Sequence, residues 1–166
     1  MEIREATAED WPRIYPFWSA IVEAGETYAY PEGLSSAEAE SLWMEKPPGL
    51  TVVAVGAGDR GGDEVLGSAK MGPNRPGRGA HIATASFMVN PAAAGQGVGR
   101  ALGNYMVDWA RREGYHGIQF NAVVETNAVA MRLWQALGFE ILGTVPEAFE
   151  HRTFGRVGLN ILYKKL

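Results

Sequence analysis

Three glycines at alternate positions, Gly95, Gly97 and Gly99, are the residues whose spacing most directly indicates chemistry in this chain. The apolar run 87–89 before them is typical of the end of a buried strand, and Pro91 breaks that strand because it has no N–H for a ladder. After them, apolar residues recur at helical spacing. A turn of this kind at a helix N-terminus leaves several backbone N–H groups unpaired beside the positive end of the helix dipole. The stretch therefore predicts an anion site.

The spacing of these glycines excludes two common phosphate-binding motifs. A P-loop needs a Lys-Ser or Lys-Thr pair after its glycines, and none follows here. A dinucleotide fingerprint needs a third glycine where this chain has Arg100 or Leu102. The alternative to an anion site is a glycine-rich turn that only lets the helix pack closely on the strand.

The glycine segment resembles the acyl-CoA pyrophosphate loop of the GCN5-related N-acetyltransferase (GNAT) family. That family's pattern is Arg or Gln, two residues, Gly, one residue, then Gly or Ala, and segment 94–99 of this chain reads Ala-Gly-Gln-Gly-Val-Gly. Ala94 departs from the usual first residue. The main phosphate contacts of the family are backbone amides, which alanine retains.

A second segment strengthens the resemblance. Residues 127–139 read Asn-x-x-Ala-x-x-Leu-Trp-x-x-x-Gly-Phe, which is similar to the family's Asn-x-x-Ala-x-x-Leu-Tyr-x-x-x-Gly-Phe segment at the same separation from the glycine loop. The resemblance covers nearly the whole chain. It implies an α+β fold, a splayed mixed sheet of six to seven strands with about four helices, in a single N-acetyltransferase domain over residues 1–166.

Composition agrees with a protein that folds around a sizeable core. The chain has 166 residues, 46% of them hydrophobic, and a net charge of −4 without a basic run, which argues against a nucleic-acid partner. The absence of cysteine excludes disulfides, thiolate metal sites and a cysteine nucleophile. The polar N-terminus is unlike a signal peptide, and no apolar run is long enough for a membrane span. We expect a cytoplasmic protein with no membrane partner and no metal.

Hydrophobic periodicity and turn residues predict the elements that position the glycine segment. The predicted strands cover residues 2–5, 51–55, 64–70, 81–89, 117–123, 139–143 and 159–163. The predicted helices run to about residue 23 after a cap at Thr7, over 37–44, from 98 to about 113, and over 127–137 after a cap at Thr126. The predicted connections include a hairpin tip at 56–63, a turn at 73–79 and a loop or arm at 146–158.

The resemblance implies where an acetyl-CoA co-substrate would bind. Strands 81–89 and 117–123 would part into a V-shaped slot, and the pantetheine arm would pair with the strand edge at Phe87, Met88 and Val89. The diphosphate would bind Gly95, Gln96, Gly97, Val98, Gly99 and Arg100. Asn127 would hydrogen-bond the arm, and the Val89 N–H would polarise the thioester carbonyl while a neutral amine attacks it.

Two catalytic groups common in the family are not evident in this sequence. Trp134 stands where a tyrosine usually protonates the departing thiolate, and an indole N–H cannot supply that proton. Its alternative role is as a core aromatic, with residual packing against the pantetheine. His81, Glu125, Glu26 and an ordered water are the candidate bases, but at ~3.3 Å per residue His81 lies about 25 Å from the reacting end. We therefore predict no protein base.

Polar residues within the apolar strands indicate the acceptor pocket. Thr84 shares one strand face with Ser86, and Asn121 shares another with Gln119. The alternative is that these side chains only satisfy backbone groups where the strands part. Asn121 is also a candidate catalytic residue, because segments 121–127 and 145–158 resemble the yeast-type acetyltransferases that act on proline analogues such as azetidine-2-carboxylate. Thr27, Tyr28 and Tyr30 fall where family members build a pocket wall; an ordinary solvated loop is the alternative.

The sequence thus favours an acetyl-CoA-dependent N-acetyltransferase that acts on the amine of a small molecule, such as an amino acid or a proline-like analogue. A non-catalytic acyl-CoA-binding module and a protein N-acetyltransferase are the alternatives. We also expect the chain to form a homodimer, although the sequence does not determine the oligomeric state.

Overall fold

The computed structural model describes residues 1–57 and 63–166, and the described residues form a seven-stranded sheet with four α-helices. Residues 58–62 of the predicted hairpin tip lie outside the described residues. The sheet order is β1-β2-β3-β4-β5-β7-β6. The strands are β1 Glu2–Glu5, β2 Leu50–Ala57, β3 Asp63–Pro73, β4 Ile82–Val89, β5 Gly117–Val124, β6 Glu140–His151 and β7 Gly155–Lys165. The helices are α1 Trp11–Ala24, α2 Ser36–Trp43, α3 Val98–Arg112 and α4 Ala128–Ala136.

The sheet buries apolar side chains on both faces, because successive strand residues point to opposite sides. On β2, Val53 and Val55 pack under α1 and α2, while Val52 and Ala54 pack under α3 and α4. No helix of the described residues is long and apolar enough to cross a membrane. The predicted α+β fold with a mixed sheet is confirmed.

The parallel pair β4 and β5 separates after two residue pairs. Ile82 pairs with Gly117 and Ala83 pairs with Ile118, and the ladder ends there. β4 remains paired along its other edge with β3, from Ala83 to Val89. The strands therefore part toward the carboxyl end of β4, as the resemblance implies.

The prediction of a loop or arm at 146–158 is wrong. β6 and β7 form a long antiparallel hairpin through this region, with a register shift between Val145 and Phe149. β6 is an edge strand that is almost wholly exposed, with Ile141, Leu142 and Val145 on its surface, so its sequence lacks the alternation of a half-buried strand. Pro146 is tolerated on such an edge because its missing N–H breaks no interior ladder. The homodimer stays a prediction.

The predicted helix cap at Thr126 is also wrong by one residue. Asn127 is the N-cap of α4, and its side-chain Oδ1 accepts a hydrogen bond from the Ala130 N–H at 3.1 Å. Both residue types favour caps, and the sequence pattern does not distinguish adjacent candidates. The correction matters because it engages an oxygen of a predicted cofactor ligand.

Asp10 is a buried carboxylate that ties β1 to α1. It accepts hydrogen bonds from Arg4 at 2.7 and 2.8 Å and from Arg13 at 2.6 Å, and its side chain is fully inaccessible. The hydrogen bonds from Arg4 hold the pKa of Asp10 well below its usual range. The charged carboxylate is therefore stabilised by folding, and that contribution is lost as the pH falls through the lowered pKa.

We expect Asp10→Asn to lower the free energy of unfolding by about 2 kcal/mol at pH 7, less than for a fully buried pair because both arginines are more than a third exposed. The difference from wild type should shrink below about pH 4, where the unfolded carboxylate is already protonated. Urea unfolding at several pH values measures both effects. Asp108→Asn, which breaks an exposed pair with Arg111, is the control; an equal effect of both variants would contradict this role of Asp10.

Candidate active site

A cavity of about 420 Å³ occupies the gap between β4 and β5. Its walls come from both parted strands, from the α1–α2 connection, from α4, and from the β6–β7 hairpin through Phe149 and Leu159. Nine predicted site residues line it: Thr27, Tyr28, Thr84, Phe87, Met88, Val89, Asn121, Asn127 and Trp134. The structure thus brings residues that are far apart in sequence into one slot.

The glycine segment 94–99, called the glycine bend below, lies directly beyond the open end of this slot. Gly95 and Gly97 have φ of 78° and 79°, a left-handed conformation that favours glycine. A Cβ built on Gly99 would lie 3.7 Å from Cγ2 of Val89, the last residue of β4. The glycines therefore adjoin the cavity rather than line it.

The bend presents amides that the described protein does not cap. Val98, Gly99 and Arg100 are the first residues of α3, so their N–H groups have no carbonyl partner within the helix. Gly97 is the N-cap and offers no side-chain hydrogen bond. The Gln96 N–H is engaged by the Ala93 carbonyl at 3.3 Å, so that amide is less available than predicted. The remaining amides are available for the predicted anion site.

The edge of β4 that faces the slot carries the backbone groups of alternate residues. The Asn90 N–H donates a hydrogen bond to the Leu66 carbonyl of β3. At the other end of β4, the Ile82 carbonyl accepts a hydrogen bond from the Asn74 N–H. Even-numbered positions therefore face β3, and the odd-numbered Val89, Phe87 and Ala85 direct their N–H and carbonyl groups into the slot.

One of these slot-facing pairs is already engaged. The Tyr28 hydroxyl donates to the Phe87 carbonyl at 2.5 Å and accepts from the Phe87 N–H at 3.0 Å. The Met88 side chain is buried in the cluster beneath α1 and α2. Among the predicted positions 87–89, Val89 is therefore the one that faces the slot and whose backbone makes no such bond with a side-chain hydroxyl.

Trp134 forms part of the slot floor and of the core. Its ring lies 4.7 Å from Phe87 and 4.8 Å from Phe120, between centroids, and the residue is only 6% exposed. This position is compatible with a core aromatic and with an aromatic that packs against the pantetheine, the two roles predicted from the sequence. The indole supplies a packing surface.

A second cavity, of about 350 Å³, opens against the same part of β4. It shares Thr84, Ala85, Ser86 and Asn121 with the slot, and Tyr30 lines this cavity instead of the slot. Its remaining lining includes three charged residues that sequence reasoning missed, Glu45, Lys46 and Lys70. No periodic signal marks them, because they meet only through the pairing of β3 with β4 and the connection from α2.

Asn121 belongs to a chain of side-chain amides at the junction of the two cavities. Its Nδ2 donates to Asn74 Oδ1 at 2.6 Å, and its Oδ1 accepts from Gln119 at 2.9 Å. A register shift in β5 between Phe120 and Val123 sets two residues, Asn121 and Ala122, opposite one residue of β7. The predicted shared face of Gln119 and Asn121 is confirmed.

The three side chains that are candidate bases lie outside the slot. His81 is exposed beside His116, where β4 and β5 are still close to each other. Glu125 lies in the connection between β5 and α4 and accepts a hydrogen bond from the Gly158 N–H of β7 at 2.5 Å. This bond holds the connection against β7. Glu26 is exposed and does not line either cavity. The described residues contain no group of three His, Asp or Glu side chains placed to hold a metal.

Comparison with known proteins decides the family. The model of the acetyltransferase (GNAT) family matches residues 4–139. The chain belongs to this family. Its members include a solved GCN5-related N-acetyltransferase from Kribbella flavida, 59% identical, with a TM-score of 0.94 over 99% of this chain and 97% of that one. This GNAT protein is accordingly an N-acetyltransferase by family.

More distant relatives carry more specific names. The GNAT protein is 31% identical to the L-methionine sulfoximine/L-methionine sulfone acetyltransferase of Pseudomonas aeruginosa, over 93% of this chain and 87% of that protein. It is 38% identical over 84 residues to N-acetyltransferase aca1 of Schizosaccharomyces pombe, and spans 40% of that protein's length. The solved structure of YncA from Salmonella typhimurium, with its cofactor acetyl-CoA, is 26% identical with a TM-score of 0.80, over 100% of this chain and 94% of that one.

Proposed function

We propose that this GNAT protein transfers the acetyl group of acetyl-CoA to the amine of a small, carboxylate-bearing molecule such as an amino acid. The observation that carries the proposal is the uncapped amide bend at the start of α3, placed at the open end of a slot whose edge has free backbone groups at Val89. The likeness to a structure solved with acetyl-CoA supports the co-substrate. The likeness to an acetyltransferase of amino-acid analogues supports the acceptor class.

The residues of the slot divide the work of the reaction. The amides of 97–100 hold the diphosphate, and the Val89 N–H donates to the thioester carbonyl and stabilises the oxyanion that develops there. The amine nitrogen forms the new C–N bond as the C–S bond breaks, and the sulfur leaves as a thiolate. The proton of the attacking nitrogen passes to solvent, because none of the three candidate side chains, His81, Glu125 and Glu26, lines the slot.

The second cavity is suited to the acceptor because it meets the slot at Thr84, Ser86 and Asn121. Lys70 lies on β3 directly opposite Ser86. An acceptor bound beside Lys70 therefore reaches the wall that the two cavities share, which includes Thr84, Ser86 and Asn121. An ammonium has three N–H donors. Two of those of Lys70 contact the Leu42 carbonyl at 2.7 Å and Glu45 at 3.2 Å, which leaves one for an acceptor carboxylate.

Lys70→Met should raise the KM for an amino-acid acceptor by about 10- to 100-fold, the value of one charge-assisted hydrogen bond. The KM for the methyl ester of the same amino acid should change by less than about threefold, because the ester carries no charge to bind Lys70. Steady-state kinetics with both acceptors measure the difference. Lys165→Met, at an exposed position on β7, is the control; equal losses with acid and ester would contradict the carboxylate site.

A thiol-release screen with acetyl-CoA tests the proposed function. We expect turnover with members of a panel of amino acids, cyclic imino acids and amino-acid analogues, and less with polyamines. Acetyl-CoA binding without thiol release on any amine would indicate a binding module instead. Turnover on peptide N-termini or lysines alone would indicate a protein acetyltransferase, and either result would overturn the proposal.

A further inference from the structure

A single phenol oxygen satisfies both backbone groups of one strand residue inside the slot. The Tyr28 hydroxyl donates to the Phe87 carbonyl and accepts from the Phe87 N–H, at 2.5 and 3.0 Å. This is the pair of bonds that a neighbouring strand would otherwise make at that position. Tyr28 therefore takes the place of a strand partner where β5 has moved away.

The ring that carries this hydroxyl is held by aromatic neighbours. It stacks on Tyr30 with a centroid separation of 5.7 Å and an interplanar angle of 7°, and it meets the edge of Trp43 at 6.4 Å. Trp43 is itself fixed by a buried hydrogen bond to Ser68 of β3. The hydroxyl is thus presented to β4 by a packed scaffold rather than by a free loop.

The position of Tyr28 separates two lengths of the slot-facing edge. Val89 lies on the side of the glycine bend, and Ala85 lies on the side where the slot meets the second cavity. Tyr28 lines the slot, while its stacking partner Tyr30 lines the second cavity. A pantetheine arm that enters from the glycine bend first reaches the unbonded backbone groups of Val89 and then contacts the Tyr28 hydroxyl.

We propose that Tyr28 is the positioning residue that ends the acetyl-CoA arm at Val89 and separates the thioester from the acceptor cavity. The inference rests on the proposed function, since it assigns the two sides of Tyr28 to the two substrates. Held in this way, the thioester carbonyl lies at the Val89 N–H and the amine approaches from the wall formed by Thr84 and Ser86. Placement to within about an ångström of the reactive geometry is worth about 100-fold in rate.

The same hydroxyl is unsuited to protonating the departing thiolate. Burial raises the pKa of the Tyr28 hydroxyl above that of an ordinary tyrosine, and its proton is already donated to the Phe87 carbonyl. A thiol has a pKa of ~8.5, so proton transfer from this tyrosine to a thiolate is strongly uphill. Tyr28 therefore acts through the placement of β4 and the arm, and the thiolate leaves unprotonated.

Tyr28→Phe tests the inference because it removes the oxygen and keeps the ring stack. We expect the Phe87 amide to exchange with solvent about tenfold faster in the free variant, as its hydrogen bond is lost. With the best acceptor from the thiol-release screen, kcat should fall about 10- to 100-fold. The Kd for CoA should change by less than about threefold, because the diphosphate contacts at the glycine bend are intact.

Tyr15→Phe is the matched control. The Tyr15 hydroxyl also donates to a backbone carbonyl, that of Leu34, at 2.9 Å beneath α1, but it does not line the slot. We expect a comparable change in thermal stability and no change in kcat. A purely structural role of Tyr28 would instead lower CoA affinity and stability together and leave kcat unchanged.

Amide NMR of the wild type with acetyl-CoA separates the two ways in which the inference can fail. We expect a large shift of the Val89 amide and continued protection of the Phe87 amide. Loss of Phe87 protection on binding would show that the arm displaces the Tyr28 hydroxyl, and would overturn the inference alone. The absence of any acetyl-CoA-induced shift would overturn the proposed function and the inference with it.

Discussion

Gly97→Ala is expected to weaken acetyl-CoA binding at least thirtyfold, or about 2 kcal/mol, while the fold persists. Gly97 has a φ of 79°, and a Cβ built there meets no atom within 4 Å. That open space is where the diphosphate would lie against the amides of α3. The methyl group would displace the anion, and an alanine in this conformation adds about 1–2 kcal/mol of strain that tends to turn the bend away.

Gly114→Ala, at the other end of α3, is the matched control. Its φ is 78°, its built Cβ also meets no atom within 4 Å, and it lies beyond the C-terminus of the same helix. Both variants should lose similar thermal stability, but only Gly97→Ala should lose acetyl-CoA affinity by calorimetry. Equal affinity in the two variants would mean that the bend does not hold the diphosphate.

Trp134→Ala should lower the free energy of unfolding by about 3–5 kcal/mol, because it empties the space between α4 and the two parted strands. Trp134 contacts Phe87, Phe120 and Phe139, and α3 passes close by, since a Cβ built on Gly103 would lie 3.1 Å from the indole. The slot floor should collapse with it, and acetyl-CoA affinity should fall as well. Chemical denaturation and calorimetry measure the two losses.

Trp109→Ala is the control for this loss, because Trp109 is equally buried at 6% exposure but packs at a tilt against Tyr115, away from the slot. It should cost similar stability and leave acetyl-CoA binding unchanged in the folded protein. Trp134→Phe then isolates the indole N–H: kcat should stay within about tenfold, the packing loss alone. A loss of 100-fold or more in kcat at unchanged affinity would show that the indole N–H acts in the reaction.

The sequence predicts the glycine bend well because its conformation is local. Alternating glycines after a strand-ending proline require left-handed backbone, and Gly95 and Gly97 adopt it. Hydrophobic periodicity does not predict the slot. The resemblance to the family implies it, and the short β4–β5 ladder shows that the two strands part. The prediction ends β6 at residue 143 instead of His151, because the exposed edge that follows, with Pro146 in it, carries no alternation.

The acceptor side could be predicted only in part, because it depends on pairing between distant segments. Thr84 and Asn121 were predicted from polar residues in apolar strands, and both line the shared wall. Lys70 was missed, since its relation to Ser86 exists only in the register of β3 with β4. The engagement of Phe87 by Tyr28 joins residues 59 positions apart and likewise has no sequence signal.

The proposed function requires the amides at the start of α3 to bind the diphosphate of acetyl-CoA. Its most direct test is a titration of the ¹⁵N-labelled wild type with acetyl-CoA and, separately, with acetyl-pantetheine, which lacks the diphosphate. We predict that acetyl-CoA shifts the amides of Gly97, Val98, Gly99 and Arg100 most strongly and that acetyl-pantetheine leaves them nearly unchanged. Saturable binding of acetyl-CoA that leaves these four amides unperturbed would contradict the claim.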